Sequence, residues 1–238
     1  MSAPAPAPVL RVFDDAAALA EGAAAFVARE VRDAVEWRGR ATVAFSGGRV
    51  EALLARLAAE PLPWGAFEVF QVDERVAPAG APERNLTALA AALVAPGRLP
   101  ARALHPLPVQ DPDRARAAAR YARELEAAGG PPVLDLVHLG LGADGHTASL
   151  FPGDPVLEVA DADVAPTDRP HAGFFRLTLT LPALSRARCA VFVVSGAEKA
   201  PALARLLAGD RAIPAARVAS QRRVVLADRA AAGERTGS

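Results

Sequence analysis

The chain holds 238 residues, which at roughly 150 residues per domain fits one large α/β unit as well as two small ones. Its 27 basic residues equal its 27 acidic ones, so the charge balance offers no footprint for a phosphodiester backbone or an anionic membrane surface. Apolar residues at 52% and charged ones at 23% supply enough burial to offset chain entropy without disulfides or metal staples.

A single α/β domain over 9–230 is expected, after a disordered Pro/Ala tail over 1–8 and before a flexible tail over 231–238. No nucleic-acid or membrane partner is expected, and the chain is expected as a monomer or weak homodimer. Cys189 is the one cysteine, which rules out an internal disulfide and a cysteine cluster for zinc and points to a reducing compartment. With no basic n-region, no apolar h-region and no apolar run near 20 residues, the expected location is cytoplasmic.

Asp14 and Asp15 precede an alanine-rich segment with Leu19, Phe26, Val27 and Val31 at helical spacing, a helix that runs to about Arg38 and is closed by Gly39. Ala41 to Phe45 reads as a strand leading into Ser46-Gly47-Gly48, and Val50, Leu53, Leu54 and Leu57 repeat with helical period. The same grammar returns with a strand from Phe67 to Val72 before Asp73-Glu74-Arg75, and a helix from about Arg84 to Leu93. Pro112 to Ala128 reads as a helix ended by Gly129-Gly130, and Leu134 to Leu139 as a buried strand emptying into Gly140-Leu-Gly-Ala-Asp-Gly-His. A polar excursion over Val156 to Gly173 follows, then strands over Phe175 to Leu181 and Ala190 to Val194, a helix over Lys199 to Leu207 and a strand over Val224 to Ala227. Strands alternating with helices predict a mostly parallel, Rossmann-like sheet flanked by helices on both faces, with ligands at the carboxyl ends of the strands.

The suggestive polar clusters all fall just after predicted strands. Ser46, Gly47 and Gly48 before a helix let backbone N–H groups close around an anion, either as a phosphate site or as an ordinary turn. No Gly-Lys-Ser/Thr follows, so a nucleoside-triphosphate loop is disfavoured, and Ser46 lacks the flanks of a nucleophile elbow. Gly140-x-Gly142-x-x-Gly145 has dinucleotide spacing, but Pro152 and Gly153 interrupt the helix that this fingerprint must open, and Asp144 and His146 occupy the space of a pyrophosphate. A nicotinamide or flavin site is therefore not expected.

His146 sits on the glycine-rich loop, away from any apolar face, which favours a working imidazole; Asp144 or the distant Asp73 is the group to hold its tautomer. His138 lies within a strand, His105 in a connection and His171 in the excursion, and no role is assigned to them. Asp73 and Arg75, two apart, share one side of their strand. Arg176 heads a strand and Lys199 opens a helix, and together they suit a dianion. Lys199 is also the lone lysine, in a composition whose single asparagine (Asn85) and single isoleucine (Ile213) fit a coding bias towards G and C; a lysine retained against that bias is marked for chemistry.

These residues resemble the 6-phosphogluconolactonases, within the group that includes glucosamine-6-phosphate isomerase/deaminase. The matching stretches are Phe45-Ser-Gly-Gly, Val72-Asp-Glu-Arg-Val with Asn85 downstream, Leu134 through Gly153, Arg176-Leu-Thr-Leu-Thr and Val194-Ser-Gly-Ala-Glu-Lys-Ala, in one order along most of the chain. The usual Ser/Thr-Pro after Ser-Gly-Gly is replaced by Arg49-Val50, which removes a hydroxyl from that turn. The resemblance implies hydrolysis of 6-phospho-D-glucono-1,5-lactone to 6-phosphogluconate in the oxidative pentose phosphate pathway, independent of metal or organic cofactor. It further implies a sugar-phosphate lactone as the small-molecule partner, His146 as general base, Arg75 as oxyanion stabiliser, Asp73 and Asp144 as orienting groups, Asn85 as a loop-fixing residue, and Ser46, Gly47, Gly48, Arg176 and Lys199 as phosphate holders. The alternative isomerase/deaminase branch carries a carboxylate five residues after the histidine, where this chain has Phe151. A non-catalytic sugar-phosphate sensor is the other alternative; it would carry a helix-turn-helix segment, for which the roughly ten residues before the first helix leave no room.

Overall fold

The computed structural model describes residues 7–48, 50–129 and 134–233. Ten strands and seven α-helices organise the described residues: β1 (Val9–Phe13), α1 (Ala16–Arg38), β2 (Ala41–Phe45), α2 (Glu51–Ala59), β3 (Phe67–Gln71), β4 (Asp73–Arg75), α3 (Asn85–Leu89), β5 (Leu104–His105), α4 (Arg114–Gly129), β6 (Leu136–Leu139), β7 (Val164–Pro166), β8 (Arg176–Leu179), α5 (Leu181–Arg186), β9 (Cys189–Val194), α6 (Ala200–Leu207), α7 (Pro214–Arg217) and β10 (Arg222–Asp228). Residues 1–6 and 234–238, most of the two expected tails, lie outside the description, as does Arg49. Ala231 is buried and donates its N–H to Asp228.

Seven strands form one sheet in the order β1-β10-β9-β6-β2-β3-β5, every pair parallel. Parallel strands need crossovers, and the helices that supply them cover both faces. The alternation within β2 divides the core accordingly: Val43 and Phe45 pack with α1 and α2, whereas Ala44 packs with Tyr121 of α4 on the other face. Side chains of period two thus feed two cores from one strand.

The chain steps outward from β2 to β3 and β5, then returns to lay β6 on the other side of β2 and steps outward again through β9 and β10. Adjacent β2 and β6 are therefore the topological switch point, and their diverging connections open a crevice at their carboxyl ends. Ser46-Gly47-Gly48 leaves β2 and Gly140 to His146 leaves β6, so both candidate loops meet there.

Several local choices follow from the sequence. Asp15 caps α1, its carboxylate accepting from the Ala18 N–H at 2.8 Å, a contact worth about 1 kcal/mol. Gly39 ends the helix at φ 73°, its N–H donating to Val35 O. The segment expected as a strand from Phe175 to Leu181 is shorter: β8 ends at Leu179, and Thr180 caps α5, which begins at Leu181 with Pro182 in its first turn. β8 also leaves the parallel sheet, pairing antiparallel with β4 and β7 in a second, three-stranded sheet. The polar excursion supplies β7 to that sheet. Among the described residues no helix is long and apolar enough to cross a membrane.

Candidate active site

A cleft of about 490 Å³ opens at the switch point, and Ser46, Gly47, Gly48, Asp73, Arg75, His146, Arg176 and Lys199 all line it. A larger recess of about 800 Å³ lies by α4, α5 and β7 and holds none of the expected site residues.

His146 is set by a tight turn. The Gly142 N–H donates to His146 O and the Gly145 N–H to Gly142 O, with Gly145 at φ 86°. A side chain at Gly145 would also collide with Ile213, just before α7, and Ala215 of α7 donates its N–H to Gly145 O. α7 therefore braces the loop from behind. Asp144 accepts from the His146 Nδ1–H at 2.6 Å and from its backbone N–H at 3.1 Å. Partial burial pushes the Asp144 carboxyl up, but the hydrogen bonds and charge of His146 outweigh it and hold the group below its ordinary value. An ionised carboxylate only accepts, so Nδ1 carries the proton of this bond and Nε2 is the ring nitrogen left for proton transfer. Asp144, not Asp73, partners the imidazole. The ring remains about one-third exposed, at 32%.

Asp73 is buried and differently employed. It accepts from Ser149 Oγ at 2.6 Å, from Asn85 Nδ2 at 3.3 Å and from Ser46 Oγ at 3.4 Å, and Arg176 lies 3.9 Å from its Oδ2. Asp73 thus ties the β2 and β6 loops to the small sheet. Ser149 went unnoticed in the sequence, where it sits inside the His146-Thr-Ala-Ser run with no spacing signal. The run turns through Ala148 at φ 53°, a left-handed residue without the freedom of glycine, and that turn aims Ser149 at Asp73.

The second sheet explains the cations. In the β4–β8 register Asp73 faces Thr178 and Arg75 faces Arg176. Like charges directly opposite repel, and here they share one wall of the cleft. Burial lowers the affinity of Arg176 for its proton; Asp73 opposes that effect and Arg75 adds to it. The Arg176 Nε is buried with no hydrogen-bond partner among the described residues. Arg75 is oriented by donating to Asn85 Oδ1 at 2.6 Å and to Glu83 O at 2.8 Å. Lys199, at the start of α6, brings a third cation, and among the described residues its ammonium has no hydrogen-bond or ion-pair partner. Such a wall suits a substrate carrying a dianion.

Glu74 points the opposite way from Asp73 and Arg75, as alternation requires. Fully buried, it accepts from the N–H groups of Asn85 at 2.8 Å and Leu86 at 2.9 Å, so it caps α3 from a distant strand. It also accepts from Gln71 Nε2 and the Arg75 N–H and pairs with Arg84 at 2.9 Å. Asn85, held this way, donates to Asp73 O at 2.8 Å and packs against Gly47, where a β-carbon would stand 1.8 Å from Asn85 Oδ1. Gly47 is thus required for close approach. His105 stacks on Phe70 in β3 and bonds Glu68, away from the cleft.

Comparison with known proteins agrees with this geometry. The family model described as glucosamine-6-phosphate isomerases/6-phosphogluconolactonase matches residues 14–226. A 6-phosphogluconolactonase of Synechocystis is 37% identical over 210 residues, 86% of this chain and 87% of that protein. One of Streptomyces coelicolor is 37% identical, with 95% of this chain and 94% of its own covered. The crystal structure of a 6-phosphogluconolactonase from Thermotoga maritima aligns with a TM-score of 0.84 at 26% identity, covering 93% of this chain and 99% of that one. On the extent of these matches, the chain belongs to the glucosamine-6-phosphate isomerase/6-phosphogluconolactonase family.

Proposed function

We propose that the cleft hydrolyses 6-phospho-D-glucono-1,5-lactone to 6-phosphogluconate, the lactone step of the oxidative pentose phosphate pathway, with His146 as general base. The observation that carries the assignment is the Asp144–His146 hydrogen bond through Nδ1, in a cleft that His146 lines together with Arg75, Arg176 and Lys199.

In this reading Arg176, Lys199 and the Ser46-Gly47-Gly48 turn hold the phosphate, and binding of that remote group fixes the lactone carbonyl. Nε2 of His146 takes a proton from water as the water oxygen bonds to C1, and Asp144 stabilises the imidazolium that forms. Arg75 faces the negative charge that develops on the carbonyl oxygen. The C1–ring-oxygen bond then breaks, and Nε2–H returns its proton to the departing oxygen. Asp73 keeps Arg176 in place and lowers the net repulsion of the cation wall. Cys189, buried and without a disulfide, suits the reducing cytoplasm.

The isomerase/deaminase reading is disfavoured at Phe151, whose ring lies 4.5 Å from that of His146. Hydrocarbon there provides no carboxylate for a ring-opening proton relay. The test generates the lactone in place with glucose-6-phosphate dehydrogenase and follows its loss with and without the purified protein. Faster loss than the spontaneous blank is expected; a rate equal to the blank, or ammonia release from glucosamine 6-phosphate, would overturn the assignment.

A further inference from the structure

Besides Asp144, His146 has an aromatic neighbour, Phe151, that the mechanism does not use. Phe151 lies 4.5 Å from the His146 ring, centroid to centroid, and 3.8 Å from the His171 ring, with the Phe151 and His171 planes only 13° apart. His171 is in turn fixed by Asp154, whose fully buried carboxylate accepts from His171 Nε2 at 2.8 Å and from the N–H groups of Val156 and Asp168. The His171 carbonyl accepts from Arg176 Nη2 at 3.3 Å, and the Arg176 guanidinium stands 5.3 Å from the Phe151 ring centre.

We propose that His171 is a positioning residue, its ring pressing Phe151 against His146 so that the imidazole keeps the orientation in which Nε2 faces the cleft. Asp144 fixes one ring nitrogen but leaves rotation about that hydrogen bond open; an aromatic plane on the flank closes it. A ring wedged between two others is confined by contact area, and His171 is itself confined by a hydrogen bond to a carboxylate with no exposure. The excursion that carries His171 thereby serves the imidazole through its ring and the phosphate end, Arg176, through its backbone. This inference rests on the lactonase reading for its kinetic consequence, not for its structural one.

Two substitutions separate the ring from its hydrogen bond. His171→Gln keeps a donor for Asp154 and removes the ring; His171→Phe keeps the ring and removes the donor. Neither touches the backbone carbonyl that Arg176 uses. His171→Gln is expected to lower kcat about tenfold with KM within about twofold, and His171→Phe to retain kcat within about threefold. Wild-type kcat in the glutamine variant, equal losses in both, or a loss confined to KM would overturn the proposal. Nitrogen-15 spectra of the histidine rings, recorded without substrate, give a readout independent of turnover. In His171→Gln the His146 signals should shift or broaden while those of His105, remote from the cleft, report an intact fold. Unmoved His146 signals would overturn the proposal, whereas absence of lactonase activity in the wild type would overturn the assigned reaction and leave the spectra to decide the contact.

Discussion

Gly142 lies directly against His146: a β-carbon on this glycine would stand 2.1 Å from the imidazole Nδ1 and 2.5 Å from Asp144 Oδ1. Gly142 is not at positive φ, so alanine suits its backbone, and the clash falls on the ends of two side chains. Gly142→Ala should therefore fold with a melting temperature near that of the wild type and yet lose about 10²-fold in kcat as the imidazole is pushed aside. Thermal unfolding and turnover measured on the same preparation check this.

Lys199 has no partner among the described residues, so removing it leaves no buried charge behind. Lys199→Ala should raise KM roughly 10- to 100-fold, the equivalent of one charge-assisted hydrogen bond of about 1.5–3 kcal/mol, with kcat little changed. An unchanged KM would remove Lys199 from the phosphate site.

Glu74 serves the site without facing it. Its carboxylate neutralises Arg84, whose side chain is 4% exposed, and caps α3, which presents Asn85 to Arg75. Glu74→Gln should cost about 3 kcal/mol in urea unfolding, because a buried guanidinium loses its counter-charge. It should also lower turnover through the displaced Arg75.

These dependencies mark where sequence reasoning reached and where it stopped. Helices such as α1, with a capping aspartate, a terminal glycine and a clear apolar period, were legible from residue types alone, as were the parallel strands with unbroken apolar runs. β1 is not legible because it is an exposed edge strand of five residues following a Pro/Ala run, and the three-stranded sheet is not because β4 and β7 have three residues each, too short to show a period, while the alternation of β8 marks a strand without telling which sheet it joins. Among the site residues, glycine turns and ions after strands stood out. The roles of Ser149, Glu74 and His171 did not, since they come from side-chain contacts between segments that meet only in the folded chain.

His138 offers a pH prediction. It lines the cleft from β6, but burial lowers its pKa from 6.5 to about 4, and its Nδ1 has no hydrogen-bond partner among the described residues. The unfolded chain takes up this proton near pH 6.5 and the folded chain only near 4, so between those values the unfolded state binds more protons. Stability from this residue is complete above pH 6.5 and falls by about 3 kcal/mol as the pH drops to 4. Denaturation of wild type and His138→Gln across that window should show the wild type losing stability more steeply by that amount; parallel curves would contradict a buried, neutral ring.

The central claim is that His146 Nε2 moves the proton in lactone hydrolysis, and its most direct test is turnover of His146→Ala beside the wild type, with lactone formed in place and spontaneous hydrolysis subtracted. The account predicts a fall in kcat of about 10²- to 10⁴-fold with KM and melting temperature nearly unchanged. A folded His146→Ala protein that hydrolyses the lactone at the wild-type rate would contradict it.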